Sequence, residues 1–79
     1  MLDSGHASVL AHRFAGSHGA MLFLHNLGEH SRTVHLGDQL STYDAPAEAF
    51  ADAEYGDLAL GDLKLNGWGY RWICLEFVP

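Results

Sequence analysis

Cysteine, cationic residues and long apolar runs are all scarce in this 79-residue chain, and each scarcity closes off a class of protein. One cysteine rules out an internal disulfide. A domain of this size buries only about 60% of the surface its unfolded chain exposes, so it needs an efficient core or a neighbouring surface to help it. A lone thiol also suits a reducing compartment, and a cytoplasmic location is expected. Four Lys or Arg against ten Asp or Glu give a net charge of −6, which repels a polyphosphate backbone, so no nucleic-acid partner is expected. The longest apolar stretches, such as residues 20–24, fall far short of the roughly 20 residues a membrane span needs, and no cationic segment precedes them. Neither a signal peptide nor contact with a membrane is expected.

What the chain does have is apolar: 48% hydrophobic residues against 18% charged, the balance of one folded unit rather than a disordered chain. Residues 1–7 read as a flexible N-terminal segment and residues 8–77 as a single domain. Ser8-Val9-Leu10-Ala11-His12-Arg13-Phe14 is a short apolar-rich run that stops at the glycine-containing turn Gly16-Ser17-His18-Gly19. Ala20-Met21-Leu22-Phe23-Leu24-His25-Asn26 is apolar at both alternating positions, as in a strand covered on both faces. Thr33-Val34-His35-Leu36 alternates and ends at Gly37-Asp38, a third, half-exposed strand.

Residues 41–57 carry two readings. Asp44-Ala45-Pro46 resembles the start of a short helix over residues 46–52, rich in alanine, although Glu48 and Asp52 would then repel one another four residues apart. The alternative is an irregular loop with a short strand. Further on, residues 58–60, Leu63-Lys64-Leu65 and residues 68–75 are strand-like, separated by Gly61-Asp62 and by Asn66-Gly67, a strong hairpin signal. Alternation places Trp68, Tyr70, Trp72 and Cys74 on one face and Arg71, Ile73 and Leu75 on the other. Short strands with glycine turns and no sustained helical period predict an all-β fold, a small antiparallel sandwich or barrel.

The run ending in His25-Asn26-Leu27, the strand at Thr33-Val34-His35-Leu36 and the closing Gly69-Tyr70-Arg71-Trp72 resemble the C-terminal β-domain of glycoside hydrolase family 13 enzymes, in the α-amylase and trehalose synthase branch. The resemblance spans residues 8–77. It implies a Greek-key β-sandwich packed against a catalytic (β/α)8 barrel, a noncatalytic role in carbohydrate metabolism, and no cofactor. The family's nucleophilic Asp, acid/base Glu and second Asp belong to the barrel, and no position of this chain matches them, so no catalytic residue is carried over. The chain is expected to be either a domain separated from its barrel or a short protein in its own right.

Trp68, Tyr70 and Trp72 on one strand face could stack on the sugar rings of maltose or an α-glucan, or could belong to a core or a seam. Arg71 and Ile73 are the candidate contacts with a partner domain, with Glu76 a candidate ion-pair partner for Arg71. A homodimer that buries the barrel-facing surface on itself is the third reading. The six histidines have no metal-ligand spacing, and no metal is expected. His25 is a candidate for organising the turn after its strand. Ser17-His18 lacks the setting of a nucleophile, and Asp52, Glu54 and Asp57 lack the spacing of a calcium loop. Protonating the six histidines cancels the net charge, so solubility should reach a minimum near the sequence pI of about 5.2. Turbidity followed from neutral pH into mild acid should rise there; a flat trace contradicts the expectation.

Overall fold

A computed structural model describes residues 2–37, 39–55, 58 and 62–77. Among the described residues six antiparallel strands form two sheets: β1 (Val9–Ala15), β2 (Gly19–Asn26), β3 (Arg32–Val34), β4 (Tyr43–Ala51), β5 (Leu63–Leu65) and β6 (Tyr70–Phe77). The larger sheet runs in the order β1-β2-β6-β4, and β3 pairs with β5 in the smaller one. The expected all-β antiparallel sandwich is therefore what these residues build. Of the strand expected at residues 58–60, positions 59 and 60 lie outside the described residues.

The core is aliphatic. Leu22, Leu24, Leu36, Leu63 and Leu65 are wholly buried, with Val34 and Ile73 beside them and Val9, Ala11 and Leu75 completing the inner face of the larger sheet. Each such leucine contributes roughly 1.5–3 kcal/mol by leaving water. Asn26, 2% exposed, is one of three buried polar residues, with Ser4 and Arg71: its Nδ2 donates to the carbonyls of His30 at 2.8 Å and Asn66 at 3.1 Å, and its Oδ1 accepts from Gly28 N at 3.0 Å. The asparagine, not His25, thus organises the turn after β2. Residues 2–7, read from sequence as flexible, carry their own bonds: Leu2 N to Ala11 O at 2.8 Å, and Ser4 Oγ to the carbonyls of His6 and Val9, both at 2.9 Å.

Two sequence expectations are corrected. No helix forms over residues 46–52, because β4 runs through them as an edge strand paired with β6. Its register slips between Asp44 and Ala47 and again between Glu48 and Phe50, so two bulges erase the two-residue period that would have announced a strand. Ala45 takes φ +48° at the first bulge, where its N–H bonds Asp44 Oδ1 at 2.7 Å, and Pro46 follows at an edge that tolerates a missing donor. Nor does Asn66-Gly67 close a hairpin, since β5 and β6 belong to different sheets. Gly67 is required because a Cβ there would collide with the carbonyl of Glu29, a close approach of two backbones rather than a tight turn between paired strands.

Arg71 is 1% exposed and lies inside the sandwich. Its Nε donates to Glu48 Oε1 and Oε2 at 3.2 and 3.1 Å, its Nη2 lies 3.1 Å from Glu48 Oε1, and its Nη1 donates to Lys64 O at 3.2 Å. The ring of Tyr55 covers the guanidinium at 4.3 Å. Glu48, rather than Glu76, is the ion-pair partner because the second bulge of β4 turns it inward. Removing one member of a buried pair strands the other charge, so Glu48→Ala should destabilise the fold by about 2–3 kcal/mol even with Glu48 partly exposed. Urea unfolding of the variant against the parent chain measures this; a change near zero contradicts it.

Candidate functional site

Because Arg71, Ile73 and Leu75 point inward, Tyr70, Trp72 and Cys74 point out of the larger sheet. The neighbouring strands add residues of the same parity. One cross-strand row reads His12, Phe23, Trp72, Phe50 from β1 to β4, and a second reads Phe14, Met21, Cys74, Ala47. Phe14 is 65% and Phe50 63% exposed, while Phe23, His25 and Trp72 are half-buried between their neighbours. A large aromatic surface therefore lies outside the core.

The rings interlock. Phe14 meets Phe23 at 5.4 Å and 86°, Phe23 meets Trp72 at 5.0 Å and 72°, and Trp72 meets Phe50 at 5.5 Å and 83°. Edge-to-face packing suits the quadrupoles of the rings and gives a ridged apolar surface rather than a flat one. His25 stacks on Tyr70 at 6.2 Å and accepts a hydrogen bond from Trp72 Nε1 on its Nε2 at 3.2 Å. An accepting Nε2 carries no proton, which assigns the ring proton to Nδ1. Two shallow concavities flank the ridge, one of about 330 Å³ against Leu10, His12 and Phe23, the other of about 340 Å³ against Phe50, Tyr70 and Trp72.

Of the residues singled out in the sequence, Tyr70 and Trp72 meet on this face and Trp68 does not. Trp68 stands in the turn before β6, at φ +57° and 69% exposed, so alternation from Tyr70 does not extend back to it. Arg71 and Ile73, expected to touch a partner domain, are 1% and 0% exposed and pack within the chain's own core. Phe14, Phe23 and Phe50 were missed because they lie on three other strands, and only the register brings them to Trp72. Charge is confined to the rim, where Asp44 of β4 sits directly opposite Glu76 of β6. Among the described residues no three of His, Cys, Asp and Glu converge as metal ligands would.

At the end of this face, Asp52 collects hydrogen bonds from Tyr55 Oη, from Tyr70 N at 3.0 Å and from Asn66 Nδ2 at 3.3 Å. Burial alone would raise its carboxyl, but these donors together outweigh burial and hold it below the ordinary value. Burial pushes the Tyr55 phenol up to about 12, and its bond to Asp52 acts in the same direction. The arrangement pins the segment after β4 to the turn before β6. Comparison with protein-family models, with curated proteins and with solved structures returned no match to this chain.

The Tyr55 phenol generates a pH dependence with a definite sign. Between its unfolded value of 10.0 and its folded value of about 12, the unfolded phenol loses its proton first, so unfolding releases a proton and stability falls as pH rises. Below that window the contribution is intact. Tyr55→Phe should cost about 1 kcal/mol at neutral pH and flatten the decline across the alkaline window. Urea midpoints measured at both ends of the window test this; parallel declines in parent and variant contradict it.

Proposed function

We propose that this chain is a noncatalytic accessory β-sandwich of the kind it resembles, the terminal β-domain of an α-glucan-active enzyme, and that the outer face of its larger sheet packs on the catalytic barrel domain. The observation that carries the reading is the interlocked aromatic ridge of Phe14, Phe23, Trp72 and Phe50, which is apolar, contiguous and covered by none of the described residues. Surfaces of this kind on small domains mark sites of association.

The size of the face argues for a tethered partner over a second copy. Strand spacing of about 4.8 Å and a rise of about 3.3 Å per residue give it roughly 400 Å², hence roughly 800 Å² buried in total. Free-standing complexes begin near about 1,200 Å², whereas domains joined in one protein manage with about 600–1,500 Å². Two copies would also bring together two net charges of −6. The opposed carboxylates of Asp44 and Glu76 at the rim call for a cation on the partner, since like charges facing across a ladder destabilise it. The partner surface is therefore apolar and edged with Lys or Arg. A sugar-stacking role for Tyr70 and Trp72 is disfavoured, because Trp72 meets Phe23 and Phe50 edge-to-face and the rings form no flat platform.

The test joins the chain through a flexible linker to the C-terminus of an α-amylase-type or trehalose synthase barrel lacking its own terminal β-domain, and compares it with the barrel alone. The barrel's thermal midpoint should rise, and Phe14→Ser with Phe50→Ser should abolish the rise while leaving the chain's own stability within about 0.5 kcal/mol. The chain alone should sediment as a monomer and leave maltose unchanged. Turnover of maltose, or a dimer that the serine pair dissociates, overturns the proposal.

A further inference from the structure

On the opposite layer, the N-terminal segment passes beside β3 and leaves a concavity of about 570 Å³, within the range of small-molecule sites, lined in part by Asp3, His6, Arg32, Thr33, His35 and Gln39. None of these residues belongs to the four-stranded sheet, so a partner covering the aromatic face leaves the cleft open.

Its walls are braced across long sequence separations. Asp3 N donates to Gln39 Oε1 at 2.8 Å and Gln39 Nε2 donates back to Asp3 O at 2.7 Å. His6 Nε2 lies 2.9 Å from Thr33 O, a pure acceptor, so this nitrogen carries the ring proton. Gly5, at φ +79°, turns the segment so that its N–H reaches Asp3 Oδ1 at 2.9 Å. His35 is held by Asp62 at 2.6 Å. Arg32 is different: among the described residues its guanidinium has no hydrogen-bond or ion-pair partner, in a chain where Arg71 is paired and Arg13 lies over the ring of Tyr43. Arg32 is exposed at the mouth of the cleft, so its five donors, held by no protein group among the described residues, are open to a ligand there.

We infer that this cleft binds an uncharged polyhydroxylated molecule, a sugar unit with neighbouring hydroxyls. A hydroxyl both donates and accepts, and the lining offers both in planar pairs: the Arg32 fork donates, the Asp3 carboxylate accepts, and imidazoles lie beside them. An anion meets Asp3 at close range and a chain of net charge −6 at long range. An apolar ligand would leave these polar groups unpaired.

The test is an amide NMR titration of the full chain with maltose, and in parallel with inorganic phosphate. Maltose should give saturable shifts at the Gly5 and Thr33 amides and at Arg32 Nε–H, with Tyr70 and Trp72 unmoved. Arg32→Ala and Asp3→Asn, the second keeping the acceptor for Gly5, should each weaken binding about tenfold with unchanged thermal midpoints. Unsaturable shifts, tighter binding of phosphate, affinity unchanged from the parent chain in both variants, or shifts confined to Trp72 overturn the inference. Docking is read from the barrel's thermal midpoint, so failure of the cleft and failure of the sheet face are told apart.

Discussion

A guanidinium taken out of water costs several kcal/mol unless carboxylate, carbonyl and aromatic partners surround it, and Arg71 is buried to 1% exposure with all three. Those partners come from different places: Glu48 from the edge strand β4, the Lys64 carbonyl from β5 in the other sheet, Tyr55 from the segment between them. One side chain on β6 therefore fixes the relation of the two sheets and the position of the β4 edge. The bulge at Glu48 and Phe50 makes this geometry possible, because it turns Glu48 inward and Phe50 outward within three residues.

The same constraint decides which face of β6 meets solvent. A slip of one residue would send Arg71 into water and Trp72 into a core built almost wholly of leucine, valine and isoleucine, where Tyr43 is the lone buried aromatic among the described residues. That interior is filled by aliphatic side chains, and the aromatic residues of four strands collect outside and pack on one another. Their edge-to-face contacts, and the bond from Trp72 to His25, order that surface before any partner arrives. An ordered apolar ridge costs less entropy to dock than one whose rings must first be immobilised.

Much of this architecture is legible in the sequence where the two-residue period is intact. The runs ending at Phe14 and Asn26 appear as strands close to their expected positions, and the parity of Arg71, Ile73 and Leu75 against Tyr70 and Trp72 is read correctly from alternation alone. The β4 strand is illegible because two bulges, Pro46 and an alanine-rich run imitate a helix, and its identity rests on pairing with a strand more than twenty residues away. The aromatic face is half legible for a related reason: alternation shows which residues of β6 point outward, but only long-range register shows that Phe14, Phe23 and Phe50 share their surface. Asn66-Gly67 misleads because glycine answers two different needs, positive φ and close approach, and a dipeptide does not say which.

The two layers of the sandwich differ in chemistry as well as in size. The four-stranded sheet presents interlocked rings, with the Trp72 indole N–H bonded to His25, which suits a surface that excludes water. The β3 side presents Arg32, Asp3 and two imidazoles around a braced opening, which suits a ligand that brings hydroxyls. Among the described residues neither set holds a nucleophile aligned with a base and an oxyanion donor. A small domain with a thin aliphatic core leaves its large side chains at the surface, and there their edge-to-face contacts build a ridge ordered by the same packing forces as an interior.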